Sequence, residues 1–182
     1  MEYFKKINNK KLSVPIKQEK LLNFYGIQLG DKYLGIGYYD VDAGLQKKLL
    51  KMLIHPSARK HFQISLMVIN HKYIPPHIDD DLKMVINLYI KTANATTYFW
   101  KPKTKEIKSI QLEMQTDGRI FKEEDLECVG SFKAEPYDFW MLDVSKIHSV
   151  RSETDEYRIA FCFQSKTLSY NDAIKNLDQI IL

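Results

Sequence analysis

Tyr157-Arg158-Ile159-Ala160-Phe161-Cys162-Phe163-Gln164 decides how this chain reads. Successive side chains of a strand point to opposite faces, so Ile159, Phe161 and Phe163 share one bulky apolar face. Arg158, Ala160, Cys162 and Gln164 share the other. A strand of this kind packs its first face on something greasy. Its second face sets a single guanidinium among small side chains, which leaves volume in front of it. The competing reading is that the second face is solvent-exposed.

Working outward, strand texture runs from residue 62 onward. Phe62–Ile69, Lys83–Lys91, Thr96–Lys101, Ile107–Leu112, Gly130–Ala134 and Tyr137–Asp143 are short and rich in β-branched and aromatic residues. Pro75-Pro76, Thr92-Ala93-Asn94, Pro102-Lys103, Asp117-Gly118 and Glu135-Pro136 are turn signals between them. Strands without alternating helices predict a mainly β domain: a sandwich, jelly roll or barrel. The first sixty residues read as partly helical. Leu45, Leu49, Leu50, Leu53 and Ile54 recur at helical spacing, with Asp42 as N-cap and Pro56 past the end. Ile27–Tyr39 contains Gly30-Asp31 between apolar runs, a hairpin signal. Asn171–Leu182 returns to helical spacing, with Ile174, Leu177 and Ile181 on one face. The expected organisation is one domain of residues 1–182: an N-terminal buttress (1–61), a β core (62–164) and a C-terminal helix (165–182).

Composition narrows the function classes. The chain has 182 residues, a net charge of +4 and 45% hydrophobic residues. That is the balance of a globular protein, too mildly basic to make nucleic acid or an anionic membrane the default partner. The longest purely apolar run is Leu66-Met67-Val68-Ile69, far short of a membrane span. Met1-Glu2-Tyr3-Phe4-Lys5-Lys6 has no apolar core of a secretory signal. Two cysteines, Cys128 and Cys162, build neither a disulfide framework nor a four-thiolate zinc site and suit a reducing cytoplasm. No Gly-rich phosphate loop is present.

The chemistry-bearing residues are His77-Ile78-Asp79, His148 and Arg158. In an extended segment, His77 and Asp79 point the same way. Alone, such a pair is common by chance. With His148 it forms the two-imidazole, one-carboxylate set of non-haem Fe(II) sites, which leaves adjacent coordination positions open. A 2-oxo acid chelates through two of them and O₂ takes a third. A five-carbon 2-oxo diacid then needs a fixed cation for its far carboxylate, and the planar fork of Arg158 suits it.

His-x-Asp, then strands, then a distal His, then Arg ten residues on resembles the Fe(II)/2-oxoglutarate-dependent dioxygenases, in their prolyl-hydroxylase-like and aspartyl/asparaginyl-hydroxylase-like branches. Val85-Ile86-Asn87-Leu88-Tyr89-Ile90 is similar to the strand that follows His-x-Asp there. Thr96-Thr97-Tyr98-Phe99-Trp100 and His148-Ser149-Val150-Arg151 also resemble segments of those enzymes. The likeness covers residues 62–164. It implies a double-stranded β-helix (jelly roll) buttressed by N-terminal helices and a short C-terminal helix. It implies Fe(II) on His77, Asp79 and His148, with 2-oxoglutarate as cosubstrate and ascorbate as a supporting reductant. Arg158 and Tyr89 would hold the distal carboxylate, with Asn87 and Tyr73 as further cosubstrate contacts. The implied activity hydroxylates a C–H bond of an amino acid, peptide, protein or other small molecule, releasing succinate and CO₂.

Several residues have plainer readings. Asp80 and Asp81 read as a solvated acidic turn, since Asp80 points away from Asp79. Arg151 belongs on a rim. His55, His61 and His71 lack ligand-like spacing. Trp140, between Phe139 and Met141, reads as core. Lys101, Lys103, Lys105 and Lys108 beside Tyr98 and Trp100 form a basic-aromatic hairpin. It is the one support for a nucleic-acid-modifying alternative. A non-catalytic jelly-roll interaction protein is the alternative from another class, because fold alone does not fix function. A cupin-type enzyme without a 2-oxo acid is disfavoured, because Arg158 would have no task.

Overall fold

Residues 158–165 form a strand buried on both faces, which removes the solvent-exposed reading of its Arg158 side. The computed structural model describes residues 2–7, 17, 20–29, 32–112 and 118–182. The Gly30-Asp31 turn, and Asp117 of the Asp117-Gly118 signal, lie outside the described residues. In chain order the elements begin with β1 (Phe4–Ile7), β2 (Leu21–Leu29), β3 (Lys32–Val41) and α1 (Ala43–Leu53). Then come β4 (Gln63–Ile69), β5 (Tyr73–Asp79), β6 (Met84–Lys91), β7 (Thr96–Pro102), β8 (Ser109–Leu112) and β9 (Gly118–Phe121). The last are β10 (Leu126–Lys133), β11 (Phe139–Leu142), β12 (His148–Arg151), β13 (Arg158–Ser165), α2 (Tyr170–Lys175) and α3 (Leu177–Ile180).

The strands form two antiparallel sheets. The larger runs β1-β11-β6-β13-β4-β3-β2 and the smaller β10-β7-β12-β5-β9-β8. From β4 to β7, and again from β10 to β13, consecutive strands alternate between the sheets. Their partners are β4 with β13, β5 with β12, β6 with β11 and β7 with β10. This is one long hairpin rolled into two layers, the winding of a double-stranded β-helix, and the chain is a jelly roll.

The two faces of β13 serve two cores. Phe161 and Phe163 join Ile64, Leu66, Ile86 and Leu88 under Leu49 and Leu53 of α1 and Tyr170 and Ala173 of α2. Ala160 and Cys162 join Met67, Val85, Tyr89 and Leu142 in the core between the sheets. Burial of each Phe ring stabilises the fold by roughly 1.5–3 kcal/mol. Asp42 caps α1 as its sequence predicts: a carboxylate oxygen accepts from the amides of Gly44, 2.9 Å, and Leu45, 3.3 Å. The C-terminal helical segment is broken at Asn176 into two short helices, and Ile181 bridges back to Ile54.

The described part of the first sixty residues supplies the expected helix, α1, and adds to it β1, β2 and β3, which extend both ends of the larger sheet. Residues 27–39 fall within the β2–β3 pair, whose arms run longer than the hairpin signal. Three more strands escape the sequence reading: β5 because it contains two prolines, β9 because it follows a turn signal, and β12 because it is four residues long. No described helix is long and apolar enough to cross a membrane.

Candidate metal centre

The centre is built on β5 and β12, paired antiparallel in the smaller sheet. His148 stands opposite His77, but Val150 stands opposite Ile74. Ser149 on β12 therefore faces two residues on β5, a β-bulge at Pro75-Pro76. Proline donates no ladder hydrogen bond, so the irregularity falls where the ladder loses least. The extra residue changes which face each later side chain takes. Ile74 turns into the space between the sheets, and so do His77 and Asp79. His148 follows from its own pairing between His77 on β5 and Phe99 on β7.

His77, Asp79 and His148 thus meet, with one ligand atom from each lying within 4.8 Å of the others. The imidazole centroids are 4.2 Å apart. His77 Nε2 lies 4.0 Å from an Asp79 oxygen. His77 Nδ1 donates to the Pro75 carbonyl at 2.8 Å, and His148 Nδ1 to the Lys146 carbonyl at 2.9 Å. A carbonyl only accepts, so each Nδ1 carries a proton, and in the neutral ring that leaves the Nε2 lone pair to face a cation. Burial pushes His148 down to about 3, helped by neighbouring His77 and Arg158, so the ring stays neutral. Burial raises Asp79 to about 6; His77 pulls it down, while Asp81 and Asp80 add to the rise. Two imidazoles and a carboxylate costly to bury fit a hard-to-borderline divalent ion such as Fe(II).

Arg158 enters from the other sheet. It is 2% exposed. One terminal N–H donates to Thr97 Oγ1 on β7 at 2.8 Å, while its Nε and Nη1 have no partner. Its guanidinium lies 4.7 Å from the Tyr89 ring centroid. Tyr89 is fully buried, and Asn87 donates to its hydroxyl at 3.3 Å, leaving the Asn87 carbonyl oxygen unpaired. Arg158, Asn87, Tyr89 and Thr97 line one cavity with His77, Asp79 and His148. Unpaired buried donors of a cation are costly unless something fills them. A bound anion is one group that could take these donors.

Tyr73 does not join them, which corrects its place among the cosubstrate contacts. Adjacent strand residues alternate, so it falls on the opposite face from Ile74, and the bulge puts it on the opposite face from His77 as well. There it is exposed and its hydroxyl donates to Glu123 at 2.9 Å. Arg151, its pairing partner on β12, also bonds Glu123 and stacks on the Tyr73 ring, away from the cavity. Asp80 pairs with Arg119 at 2.8 Å, and Asp81 with Lys166 at 2.6 Å. His55 and His61 bond surface hydroxyls, and His71 its neighbour's carbonyl. Trp140 stacks on Phe132 with centroids 4.0 Å apart. In the lysine hairpin, Lys101 pairs with Glu127 and Lys103 donates to the Glu124 carbonyl, so part of its charge is already answered.

Thr97 and Tyr38 line the cavity without having been singled out as site residues. Thr97 was legible in principle, since it shares a strand face with Phe99, two residues on. Tyr38 lies on β3, where no motif marks it. Its phenol is raised well above its ordinary value, by burial first and then by Asp79.

No family model matches the chain, and no curated protein matches it. Among solved structures it is similar to E. coli ycfD, at 9% identity and TM-score 0.44, over 77% of this chain and 36% of that one. It is also similar to vicilin from hazelnut, Corylus avellana, at 8% identity and TM-score 0.40, over 78% of this chain and 31% of that one. A third is the epimerase SnoN in complex with Fe³⁺, alpha-ketoglutarate and nogalamycin RO, at 11% identity and TM-score 0.47, over 78% of this chain and 67% of that one. The chain spans about a third of the length of the first two. Likenesses this loose bear on neither reaction nor ligand.

Proposed function

We propose that the chain is an Fe(II)- and 2-oxoglutarate-dependent oxygenase that hydroxylates a C–H bond, with release of succinate and CO₂. The observation that carries this is the buried guanidinium of Arg158, two of its nitrogens unpaired, lining the same cavity as His77, Asp79 and His148. A metal-ligand set alone fits many proteins. A metal-ligand set that shares its cavity with an unanswered cation fits a chelating ligand with a second, anionic end.

In this reading His77, Asp79 and His148 hold the ion, which when bound activates O₂ for attack on the substrate. The Pro75 and Lys146 carbonyls fix the imidazole tautomers and keep both Nε2 atoms aimed at one point. Arg158 takes the distal carboxylate through its free N–H groups, while Thr97 fixes one side of the fork and Tyr89 supports its face. Leu142, Val144 and Val150 close the cavity with apolar surface and exclude water.

The test is succinate release by iron-loaded protein screened against free amino acids, peptides, nucleosides and other small molecules. The reading expects iron-dependent succinate formation that is lost in His77→Ala and Asp79→Ala. Normal turnover in either variant contradicts the site.

A further inference from the structure

A second cavity opens from the first, and the two have about half of the second's lining in common. The two share a wall that contains His77, Asp79 and Tyr38. Beyond that wall their linings diverge. The first cavity holds Arg158, Asn87, Tyr89 and Thr97. The second is walled by Ile27 of β2, Leu34 of β3, Pro75 of β5 and Ile120 of β9, with Asp81 beside them. No Lys or Arg lines it among the described residues. Two of the candidate metal ligands, His77 and Asp79, therefore stand between a cationic chamber and an apolar one, while His148 lines only the cationic chamber.

Each chamber suits one kind of occupant. A carboxylate or phosphate in the second chamber would find no Lys or Arg among its described lining residues, and the nearby Lys166 is already paired with Asp81. It would also lie near Asp81, whose second carboxylate oxygen is buried without a partner. Burying an unpaired charge there is strongly unfavourable. Small-molecule sites are characteristically walled by apolar side chains with few polar groups, and the lining of this chamber follows that pattern.

We propose that the second chamber is the substrate site and that it takes a small, uncharged, predominantly apolar molecule without a carboxylate or phosphate. Such a molecule presents its C–H bond at the shared wall while the 2-oxo acid occupies the Arg158 side. The inference rests on the oxygenase reading for naming the occupant a substrate. The chamber's own chemistry is measurable without it.

The experiment compares two fluorescent probes of similar shape on the full chain without added metal or 2-oxoglutarate. One is neutral N-phenyl-1-naphthylamine and the other is its anionic relative 1-anilinonaphthalene-8-sulfonate. Saturable one-site binding of the neutral probe is expected, with the sulfonate about tenfold or more weaker. Ile27→Trp and Leu34→Trp fill the chamber from different strands and are each expected to weaken the neutral probe about tenfold. Either variant suffices if the other fails to fold. Equal or tighter binding of the sulfonate, no saturable binding, or binding unchanged in a folded Trp variant overturns the proposal. Metal and 2-oxoglutarate titrations fail or succeed separately, so loss of one reading is not mistaken for loss of the other.

Discussion

Arg158 of β13 donates to Thr97 Oγ1 of β7 across the space between the two sheets, at 2.8 Å, and this is the one hydrogen bond its buried guanidinium makes within the described residues. Thr97 orients the fork without neutralising it. The chain keeps a cation in its interior at a cost that its own contacts do not offset.

That cost predicts opposite effects on stability and binding. Arg158→Met replaces an under-partnered buried cation with an apolar chain of similar length, so the variant should unfold at an equal or higher urea concentration. Its 2-oxoglutarate affinity should fall by about a hundredfold, the scale of losing a buried charged partner. A variant that is strongly destabilised would show that Arg158 serves the fold instead.

Metal binding should appear as stability. At a divalent ion concentration of 100 times Kd, wild-type protein should gain about 2.7 kcal/mol. For a chain of this size that is about 5–10 °C in Tm. Asp79→Asn should show no gain. Burial raises the Asp79 carboxyl to about 6, so above that pH its charge burdens the metal-free fold. Metal-free Asp79→Asn should therefore be at least as stable as wild type at pH 8. Thermal scans with and without Mn(II) read both effects.

Tyr73 lies outside the cavity, so Tyr73→Phe should leave metal and 2-oxoglutarate affinities unchanged. It removes one exposed hydrogen bond to Glu123 and should cost no more than about 1 kcal/mol. A large loss of 2-oxoglutarate affinity would restore Tyr73 to the site.

Asp138 supplies a pH dependence far from the metal ligands. Burial raises its carboxyl, but hydrogen bonds from Lys6, the Glu135 amide and Trp140 outweigh burial and hold it below its ordinary value. A lowered folded pKa contributes stability that is present above the unfolded value and is lost as pH falls through the folded one. Asp138→Asn should thus be less stable than wild type at pH 7. The gap should close as pH falls below about 4. A gap independent of pH would remove the carboxylate's charge from the explanation.

The legible parts of the molecule were those with strong local patterns. Phe161 and Phe163 against Ala160 and Cys162 gave β13 its two faces. Asp42 and the leucines after it gave α1 its cap and its buried stripe. His77, Asp79, His148 and Arg158 are legible even where their strands are not, because donor type and order carry chemistry. What escaped depended on pairing. The bulge at Pro75-Pro76 exists because β5 meets β12 with unequal residue counts, and a single strand read alone cannot show that. That one extra residue separates Tyr73 from His77. Tyr38 entered through β3, whose place beside β4 is a long-range pairing that local periodicity does not encode.

The most direct measurement is calorimetric titration of 2-oxoglutarate into the Mn(II)-loaded chain, beside Arg158→Met and Asp79→Asn. The account predicts one saturable site in wild type, marked weakening in Arg158→Met and loss of the metal-dependent part in Asp79→Asn. An absence of saturable binding in wild type, or equal affinity in Arg158→Met, would contradict it.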